Sequence, residues 1–393
     1  MEYNPFLPEV QANPFPYYAY LREHAPVYQV PGAGFWAVSR YDDVLFIVKN
    51  PQIFSASILI SALMGDLNPW PPEVPPMVAM DPPDHTRLRK LVNRAFTPRR
   101  IASLEQHIRE IAHSLLDAVP AQGTFDLVST LSGPLPAIAI AELLGVPPER
   151  YADFKRWTND IARCTNGVAV PPEVRPQLRQ SSNELKAYLE EAIAAYRKQP
   201  GDNLLSDMVR AEEENERLSP AEVLSMAILV ITAGSETTTN LISNAILSLC
   251  AHPEQFAMVR TNPALVPNLV EETLRYDAPV QFFPRLTMQE VTIAGTTLPA
   301  GTPVLAMFGS ANHDERKFPD PERFDITRNT EGQLAFSFGV HYCLGAQLAR
   351  LEGKIALETL LARFPYLSRT DEPLVRFESI TVRGPKMLSL RSS

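Results

Sequence analysis

Apolar residues recur every three or four positions through the middle of the chain, as they do on one face of a helix. The breaks between these periodic segments carry proline, glycine or asparagine, which end helices. The pattern predicts helices over 84–95, 101–118, 127–145, 149–163, 176–198 and 203–213. This part of the chain is therefore expected to be a succession of amphipathic helices.

The two ends of the chain mix helices with short β-like runs. Helices are predicted over 17–24 and 42–49, and Pro31-Gly-Ala-Gly between two N-terminal runs is typical of a hairpin. The predicted strands cover 27–30, 35–39, 291–293 and 304–307, with a β-like tail at the C-terminus. No linker interrupts the pattern, so the predicted fold class is α+β, mostly α-helical, in one unit spanning 1–393.

One helix is predicted to be much longer than the others. Ser219, Pro220 and Glu222 form a helix start, with Ser as N-cap, Pro in the first turn and Glu closing a capping box. Proline does not recur until Pro253. A helix over that interval is about 48 Å long at 1.5 Å per residue. Its first half is apolar on nearly every face, so we expect it in the protein centre.

The middle of this helix reads Ala233-Gly-Ser-Glu-Thr-Thr-Thr, which is an unfavourable helix interior. One interpretation is that Glu236 reaches a neighbouring arginine while the threonine hydroxyls bond their own backbone. The other is a local helix opening that places an acid, Glu236, and an alcohol, Thr237, beside a small-molecule site. The residues alone leave both interpretations open.

Cys343 lies in a loop between Gly339 and Gly345, directly ahead of another helical pattern. A helix N-terminus favours a thiolate, and a thiolate is a nucleophile or a metal ligand. A zinc site is poorly supported, because His341 is the one potential zinc ligand near Cys343 in the sequence and no Cys-x-x-Cys occurs. No pattern points to a catalytic base either. An axial thiolate on a large planar cofactor explains this lone cysteine best.

The net charge, the cysteine count and the lengths of the apolar runs exclude several classes of protein. The chain has 393 residues and a net charge of −9, which gives no footprint for nucleic-acid binding. Three widely spaced cysteines argue against a disulfide framework. The first residues lack the features of a signal peptide, and no apolar run approaches a membrane span. We therefore expect a cytoplasmic protein without a membrane anchor.

One stretch of the chain is strongly basic although the net charge of the chain is negative. Between Arg87 and Arg100 there are six basic residues and no acidic one. A solvated helix face is the usual meaning of such a run, and a docking site for an acidic partner is the alternative. His85 and Arg89, four apart, share a helix face at the start of this stretch.

Several motifs together resemble those of the cytochrome P450 haem-thiolate monooxygenases, in particular their soluble bacterial members. The stretch from Phe336 to Gly345 resembles the haem-binding signature at every constrained position, and the segment from Ala233 to Thr237 resembles the oxygen-activation motif. Further resemblances are Glu272-x-x-Arg275 with Arg323, His85-x-x-x-Arg89, and Arg285 after the Asp277-Ala-Pro break. These motifs follow the family's order and spacing along essentially the whole chain.

The resemblance implies a role for each of these residues. Cys343 would be the proximal ligand of the iron of haem b. His85, Arg89, Arg285 and His341 would bind the haem propionates. Glu236 and Thr237 would hold water and relay protons to the oxygen-binding side. The structural network behind the haem would consist of Glu272, Arg275 and Arg323. It also implies the P450 fold, with the long central helix over the haem and small β-sheets.

The family likeness further implies a separate electron carrier, a ferredoxin or flavodoxin with its reductase, and dioxygen as co-substrate. Substrate contacts are expected from Ile228, Leu229, Ala233, Val280, Phe282, Phe283, Ile380 and Val382, together with the loop over 58–64. Their apolar character favours a terpenoid, a steroid or a similar small molecule. A peroxygenase, dehydratase or isomerase and a non-catalytic haem sensor are the alternatives. The acid–alcohol pair argues against both, because peroxide-dependent members tend to lack it.

Overall fold

Helices form most of the backbone in the computed structural model, which describes residues 1–58, 67–165, 170–213 and 216–392. The α-helices cover Pro8–Ala12, Phe15–His24, Tyr41–Lys49, Asp84–Ala95, Pro98–Ser103, Glu105–Asp117, Pro134–Leu143, Tyr151–Thr165, Arg175–Lys198, Leu204–Arg210, Pro220–Ala251, Pro253–Thr261, Val266–Tyr276, Phe308–Ala311 and Ala346–Arg363. Among these described helices, none combines the length and the apolar composition needed to cross a membrane.

The strands are short and lie in small sheets. They are β1 Val27–Gln29, β2 Trp36–Val38, β3 Phe54–Ser55, β4 Gly123–Asp126, β5 Glu212–Glu213, β6 Glu216–Arg217, β7 Phe283–Thr287, β8 Val291–Ile293, β9 Thr296–Leu298, β10 Pro303–Ala306, β11 Leu367–Arg369, β12 Val375–Arg376, β13 Pro385–Met387 and β14 Ser389–Ser392. The largest sheet has the order β1-β2-β10-β7-β3, with β2 and β10 parallel and its other pairs antiparallel. The strand β14 lies between β11 and β4. The α+β architecture agrees with the prediction.

The central helix, Pro220–Ala251, is the predicted long helix, with both halves of the capping box formed. Its interior is buried along most of its length, and it packs against Pro134–Leu143, Val266–Tyr276 and Ala346–Arg363. Ile228 and Ile231 are fully buried in the largest apolar cluster of the described residues. The helix is apolar on all faces here because neighbours surround it on all sides.

Gly234 of the central helix allows a close approach to a neighbouring helix. A Cβ atom at this position would lie 2.6 Å from Cδ1 of Ile140, in the helix Pro134–Leu143. The cost of glycine in a helix interior is thus offset by close packing of the two helices. The central helix is continuous through 233–239, so the local opening, one of the two interpretations of this segment, is not seen.

The predicted helix 127–145 is the clearest error among the predicted elements. The chain forms a π-helical turn over Val128–Ser132, and a new α-helix begins at Pro134. The missing N–H of Pro134 fits the first turn of a helix but not a helix interior. The predicted helix 101–118 is likewise divided, at Leu104. The other helices begin and end within a few residues of the predicted positions.

Candidate functional site

The loop that carries Cys343 is held by its own backbone and by a neighbouring helix. The Cys343 N–H donates to the Phe336 carbonyl at 2.9 Å. Gly339 has φ +68°, and a Cβ there would lie 3.0 Å from the Val48 carbonyl oxygen of Tyr41–Lys49. Glycine is required at this position because a side chain would be both strained and crowded. Gly345 then caps the helix Ala346–Arg363, named here the cysteine helix.

The Cys343 thiol lies in a setting that suits a metal ligand. Burial raises its pKa, while the Gly345 N–H and the charges of Arg89 and Arg350 act in the opposite direction. The predicted thiolate is therefore not favoured by the protein alone, because burial outweighs the positive groups. Such a sulfur ionises when a cation binds it. No group of three or more His, Cys, Asp or Glu side chains suited to a metal occurs in the described part of the chain.

Four basic side chains converge beside this loop. The rings of His85 and His341 lie with centroids 4.4 Å apart, and Arg89 donates to the Tyr342 carbonyl at 2.8 Å. Arg285 is buried on β7, where it donates to its neighbour's carbonyl, and burial lowers its pKa to about 10. Between 196 and 256 residues separate His85 and Arg89 from Arg285 and His341, so only the fold brings the two pairs together.

This basic cluster lacks sufficient protein partners. Burial and the nearby arginine charges lower the pKa of His85 to about 4 and that of His341 to about 2. Within the described residues, Nδ1 of His85 and both ring nitrogens of His341 have no hydrogen-bond partner. Buried polar nitrogens are rarely left unpaired in native proteins. The cluster therefore fits an anionic group with several oxygen atoms.

Glu236 and Thr237 occupy the accessible part of the central helix. Ala233 is exposed and both residues keep accessible surface, whereas Ile231 before them and Thr238 after them are buried. Burial raises the pKa of Glu236 to about 7, and no arginine among the described residues contributes to this shift. The Thr237 hydroxyl donates to the Ala233 carbonyl at 2.6 Å. Thr237 thus bonds its own helix backbone, as the first interpretation of this segment expected. Glu236 does not pair with an arginine, which that interpretation also expected.

Glu272 and Arg275 form a fully buried ion pair. Arg275 donates to both carboxylate oxygens of Glu272 at 2.8 and 2.7 Å, and to the carbonyls of Asn312, Pro321 and Arg323 at 3.1, 2.9 and 3.2 Å. Nearly every polar atom of the pair is thereby satisfied. Arg275 thereby holds the helix Val266–Tyr276 against the segment that carries Asn312, Pro321 and Arg323.

The prediction that the Arg323 side chain completes this network is wrong. That side chain is 66% exposed and lies 3.6 Å from Asp325, and only its carbonyl joins the pair. The second guanidinium beside Glu272, after that of Arg275, belongs to Arg328, which is 11% exposed, with Nε 3.5 Å from the carboxylate. The chain turns at Asp320, where φ is +49°, and brings Arg328 inward. No periodicity in the sequence marks that turn.

Comparison with known proteins decides what this site belongs to. The family model for cytochrome P450 matches residues 168–390. A vitamin D(3) 25-hydroxylase from Pseudonocardia autotrophica is 41% identical, over 95% of this chain and 92% of the relative. This chain is a cytochrome P450. Its cofactor is haem b, and its activity is that of an oxygen-incorporating monooxygenase.

Solved P450 structures share the whole architecture. CYP109Q5 from Chondromyces apiculatus is 42% identical with a TM-score of 0.93, covering 100% of this chain and 98% of that one. CYP109E1 from Bacillus megaterium, in complex with testosterone, is 36% identical with a TM-score of 0.87, covering 97% and 99%. The predicted P450 fold is confirmed.

The residues of the site fit haem b. The unpaired nitrogens of His85 and His341, with Arg89 and Arg285, match the two propionate carboxylates in charge and hydrogen bonding. A Cβ at Gly345 would meet no protein atom within 4 Å, so the backbone after Cys343 is open to close approach by a flat ring. The Gly345 amide donates a hydrogen bond to the Cys343 sulfur. Hydrogen bonds of this kind tune the redox potential of a metal bound by a thiolate.

The predicted substrate residues divide into two groups. Leu229, Ala233, Val280 and Phe283 keep accessible surface. Ile228, Phe282 and Ile380 do not: Ile228 lies in the main core, and the other two pack in the N-terminal cluster with Tyr18 and Leu21. Neighbouring side chains cover these three residues, so their contact with a substrate stays a prediction. Val382 is half-buried and bridges Val280, while most of the loop over 58–64 lies outside the described residues.

Two acids near this site, the half-buried Asp81 and the buried Glu352, carried no signal in the sequence. Asp81 accepts from the Ala56 N–H at 2.9 Å and from the Ser55 hydroxyl, and its charge opposes the lowering of the His85 pKa. Glu352, on the cysteine helix, is 1% exposed. An acid among helical residues predicts a solvated position, so neither could be found before the fold was known.

Proposed function

We propose that this P450 hydroxylates an apolar, weakly polar small molecule of terpenoid or steroid type. The observation that carries the proposal is that the accessible predicted substrate residues, Leu229, Ala233, Val280 and Phe283, are all apolar. Apolar pockets with few polar groups bind ligands of the same character. The relative that acts on vitamin D(3) and the testosterone-bound structure are consistent with this substrate class.

Five residues of the site would hold the cofactor. Cys343 would ligate the iron, and His85, Arg89, Arg285 and His341 would bind the propionates. When bound, the haem supplies the iron centre at which dioxygen is reduced and one oxygen atom is transferred to the substrate. We further propose that residues 1–393 work as one haem domain, which obtains its electrons from another protein.

Glu236 and Thr237 manage protons on the accessible side of the central helix. With a pKa of about 7, Glu236 is close to half protonated at neutral pH and can both take and give up a proton. The Thr237 hydroxyl donates its proton to the Ala233 carbonyl. The hydroxyl oxygen of Thr237 can therefore still accept a hydrogen bond, and we propose that the Glu236 carboxyl group supplies it. The pair thereby favours dioxygen-dependent chemistry over the peroxygenase alternative.

The electron donor is proposed to be a ferredoxin or flavodoxin, with its reductase. Lys90, Arg94 and Arg99 are exposed on neighbouring helices. A group of exposed cations attracts an acidic carrier, and the association weakens with salt. Arg99→Glu should therefore lower the association rate and flatten its salt dependence. Lys386→Glu, an exposed cation on β13, is the control and should change neither.

A titration of the purified ferric protein tests the substrate class. Steroids, terpenoids, fatty acids and polar or anionic compounds are compared by their substrate-type spectral shifts. We expect shifts from the first two groups, followed by oxidation that requires both dioxygen and reductant. Shifts confined to anionic or strongly polar compounds would refute the substrate class. Turnover on peroxide alone, unaffected by Thr237→Ala, would instead favour the peroxygenase.

A further inference from the structure

Two arginines near the C-terminus share one buried carboxylate. Asp277 directly follows the helix Val266–Tyr276 and is 6% exposed. Its Oδ1 atom accepts from Nε of Arg383 at 2.9 Å, and its Oδ2 atom lies 3.9 Å from Nη2 of Arg376. In the described part of the chain, no other carboxylate lies within 4.0 Å of either guanidinium. The group of three side chains therefore carries one uncompensated positive charge.

The two arginines differ in how their donors are used. The other two nitrogens of Arg383 donate to the carbonyls of Gln11 and Ala12 at 2.7 and 3.2 Å. Nη1 of Arg376, on β12, is buried and has no hydrogen-bond partner among the described residues. Burial, which Asp277 opposes, lowers the pKa of Arg376 to about 10, so the group remains charged at neutral pH. A buried cationic donor without an acceptor is costly and rare in native proteins.

A cavity of about 30 Å³ lies beside these arginines, where the N-terminal segment meets the C-terminal tail. Both arginines line it, and no carboxylate does among the residues that the structure describes. Roughly 10–15 Å³ of such space holds one water molecule, so the cavity has room for about two waters or one ion of the size of chloride. The Arg376 side chain is 18% exposed, which gives ions from solvent access to it. The cavity is thus small, positively charged and accessible.

We propose that this cavity is a binding site for a small monovalent anion of the halide class, held by Nη1 of Arg376. A water molecule would supply the missing acceptor but would leave the excess positive charge, whereas an anion supplies the acceptor and cancels the charge. The anion holds β12 against the N-terminal segment that Arg383 already contacts. None of the four residues of the basic cluster lines this cavity, so the site is separate from that of the haem propionates.

Thermal unfolding of the purified haem protein tests the site, since a ligand that binds only the folded state raises Tm. Chloride or bromide replaces gluconate stepwise at constant ionic strength, because gluconate is too large for the cavity. We expect Tm to rise by a few degrees with either halide and then to saturate. Equal Tm values in gluconate and chloride, or a rise without saturation, would overturn the proposal.

Two arginine variants separate this site from a general effect of salt. Arg376→Met removes the guanidinium and keeps a long side chain, so its Tm should not respond to chloride. Arg391→Met, at an exposed position on β14, is the matched control and should retain the full wild-type response. A halide response that survives in Arg376→Met contradicts the assignment of the anion to this residue.

Crystals of the wild-type haem protein grown in bromide give an answer that does not depend on the folding of any variant. Anomalous scattering at the bromine edge should show a peak within hydrogen-bond distance of Nη1 of Arg376. Density for water alone at that position would mean that the cavity is merely hydrated, and the anion site would then be rejected.

Discussion

Replacing Arg323 and Arg328 by alanine, one at a time, tests which of the two arginines completes the buried network around Glu272. Arg323 lies in the sequence motif expected to complete the buried network, whereas Arg328 carries the guanidinium that the fold places beside Glu272. We expect Arg328→Ala to destabilise the protein strongly and Arg323→Ala to have little effect. The comparison is sharp because both changes remove the same side chain within one segment.

The magnitude follows from the contacts of each guanidinium. Arg328 donates to the carbonyls of Asp320 and Arg323 at 2.8 and 3.1 Å and to that of Pro319, and its charge lies beside Glu272. Removing one member of a buried charged network costs about 3–5 kcal/mol. Arg323 has an exposed ion pair with Asp325, which is worth about 0–1 kcal/mol. Its carbonyl, the acceptor from Arg275, remains in the alanine variant.

Urea unfolding of the purified haem protein measures the difference, with fluorescence and the haem absorption band as two probes. Arg210→Ala is the control, because Arg210 is 52% exposed and pairs with Asp207 at 2.8 Å. The free energy of unfolding should fall by similar small amounts in the Arg210 and Arg323 variants. An Arg323→Ala protein that is as unstable as Arg328→Ala would refute the assignment and restore the expectation from the motif.

The remaining predictions concern the site and the helix that covers it. Cys343→Ser should lose the red-shifted ferrous–CO band of a thiolate ligand; a band that persists would exclude Cys343 as the ligand. His341→Phe should release haem roughly tenfold faster or more, measured by haem transfer to an acceptor protein, because it removes donors to a charged group. Glu236→Gln should gain stability over the wild type as pH rises from about 4.5 to about 7, since the native carboxyl retains a proton that the unfolded chain has lost. The full effect is at most about 3 kcal/mol in pH-dependent unfolding, and a constant difference between the two proteins would contradict the raised pKa. Gly234→Val should destabilise by about 1–3 kcal/mol through contact with Ile140, and Ile140→Ala should restore part of that loss if the contact is the cause.

Local patterns in the sequence determined the elements that depend on local physics. The capping residues Ser219 and Glu222 and the absence of proline up to Pro253 predicted the bounds of the central helix. The glycines around Cys343 predicted a tight loop ahead of a helix, and Gly339 indeed requires a positive φ. These predictions succeed because capping, proline geometry and helical periodicity act over a few residues.

Contacts between distant residues were decided only by the tertiary structure. Sequence periodicity showed that Phe282 and Ile380 were apolar, but not that the N-terminal segment covers them. It marked Gly234 as unusual and suggested an opening, whereas the reason is the approach of Ile140. In each case the deciding neighbour lies far away in the chain, and steric fit between separate elements leaves no periodic trace in either one.

The charged groups of the site show the same division between what the sequence supplies and what the fold decides. The sequence alone supplies His85, Arg89, Arg285 and His341 as residue types, and their motif likeness indicates a shared ligand. Only the fold buries them together, which lowers the pKa values of both histidines and leaves their nitrogens unpaired. Burial likewise turns Glu236 into an acid that titrates near neutrality. Residue types are fixed by the sequence, but the cost of a charge depends on its surroundings, and packing alone sets those.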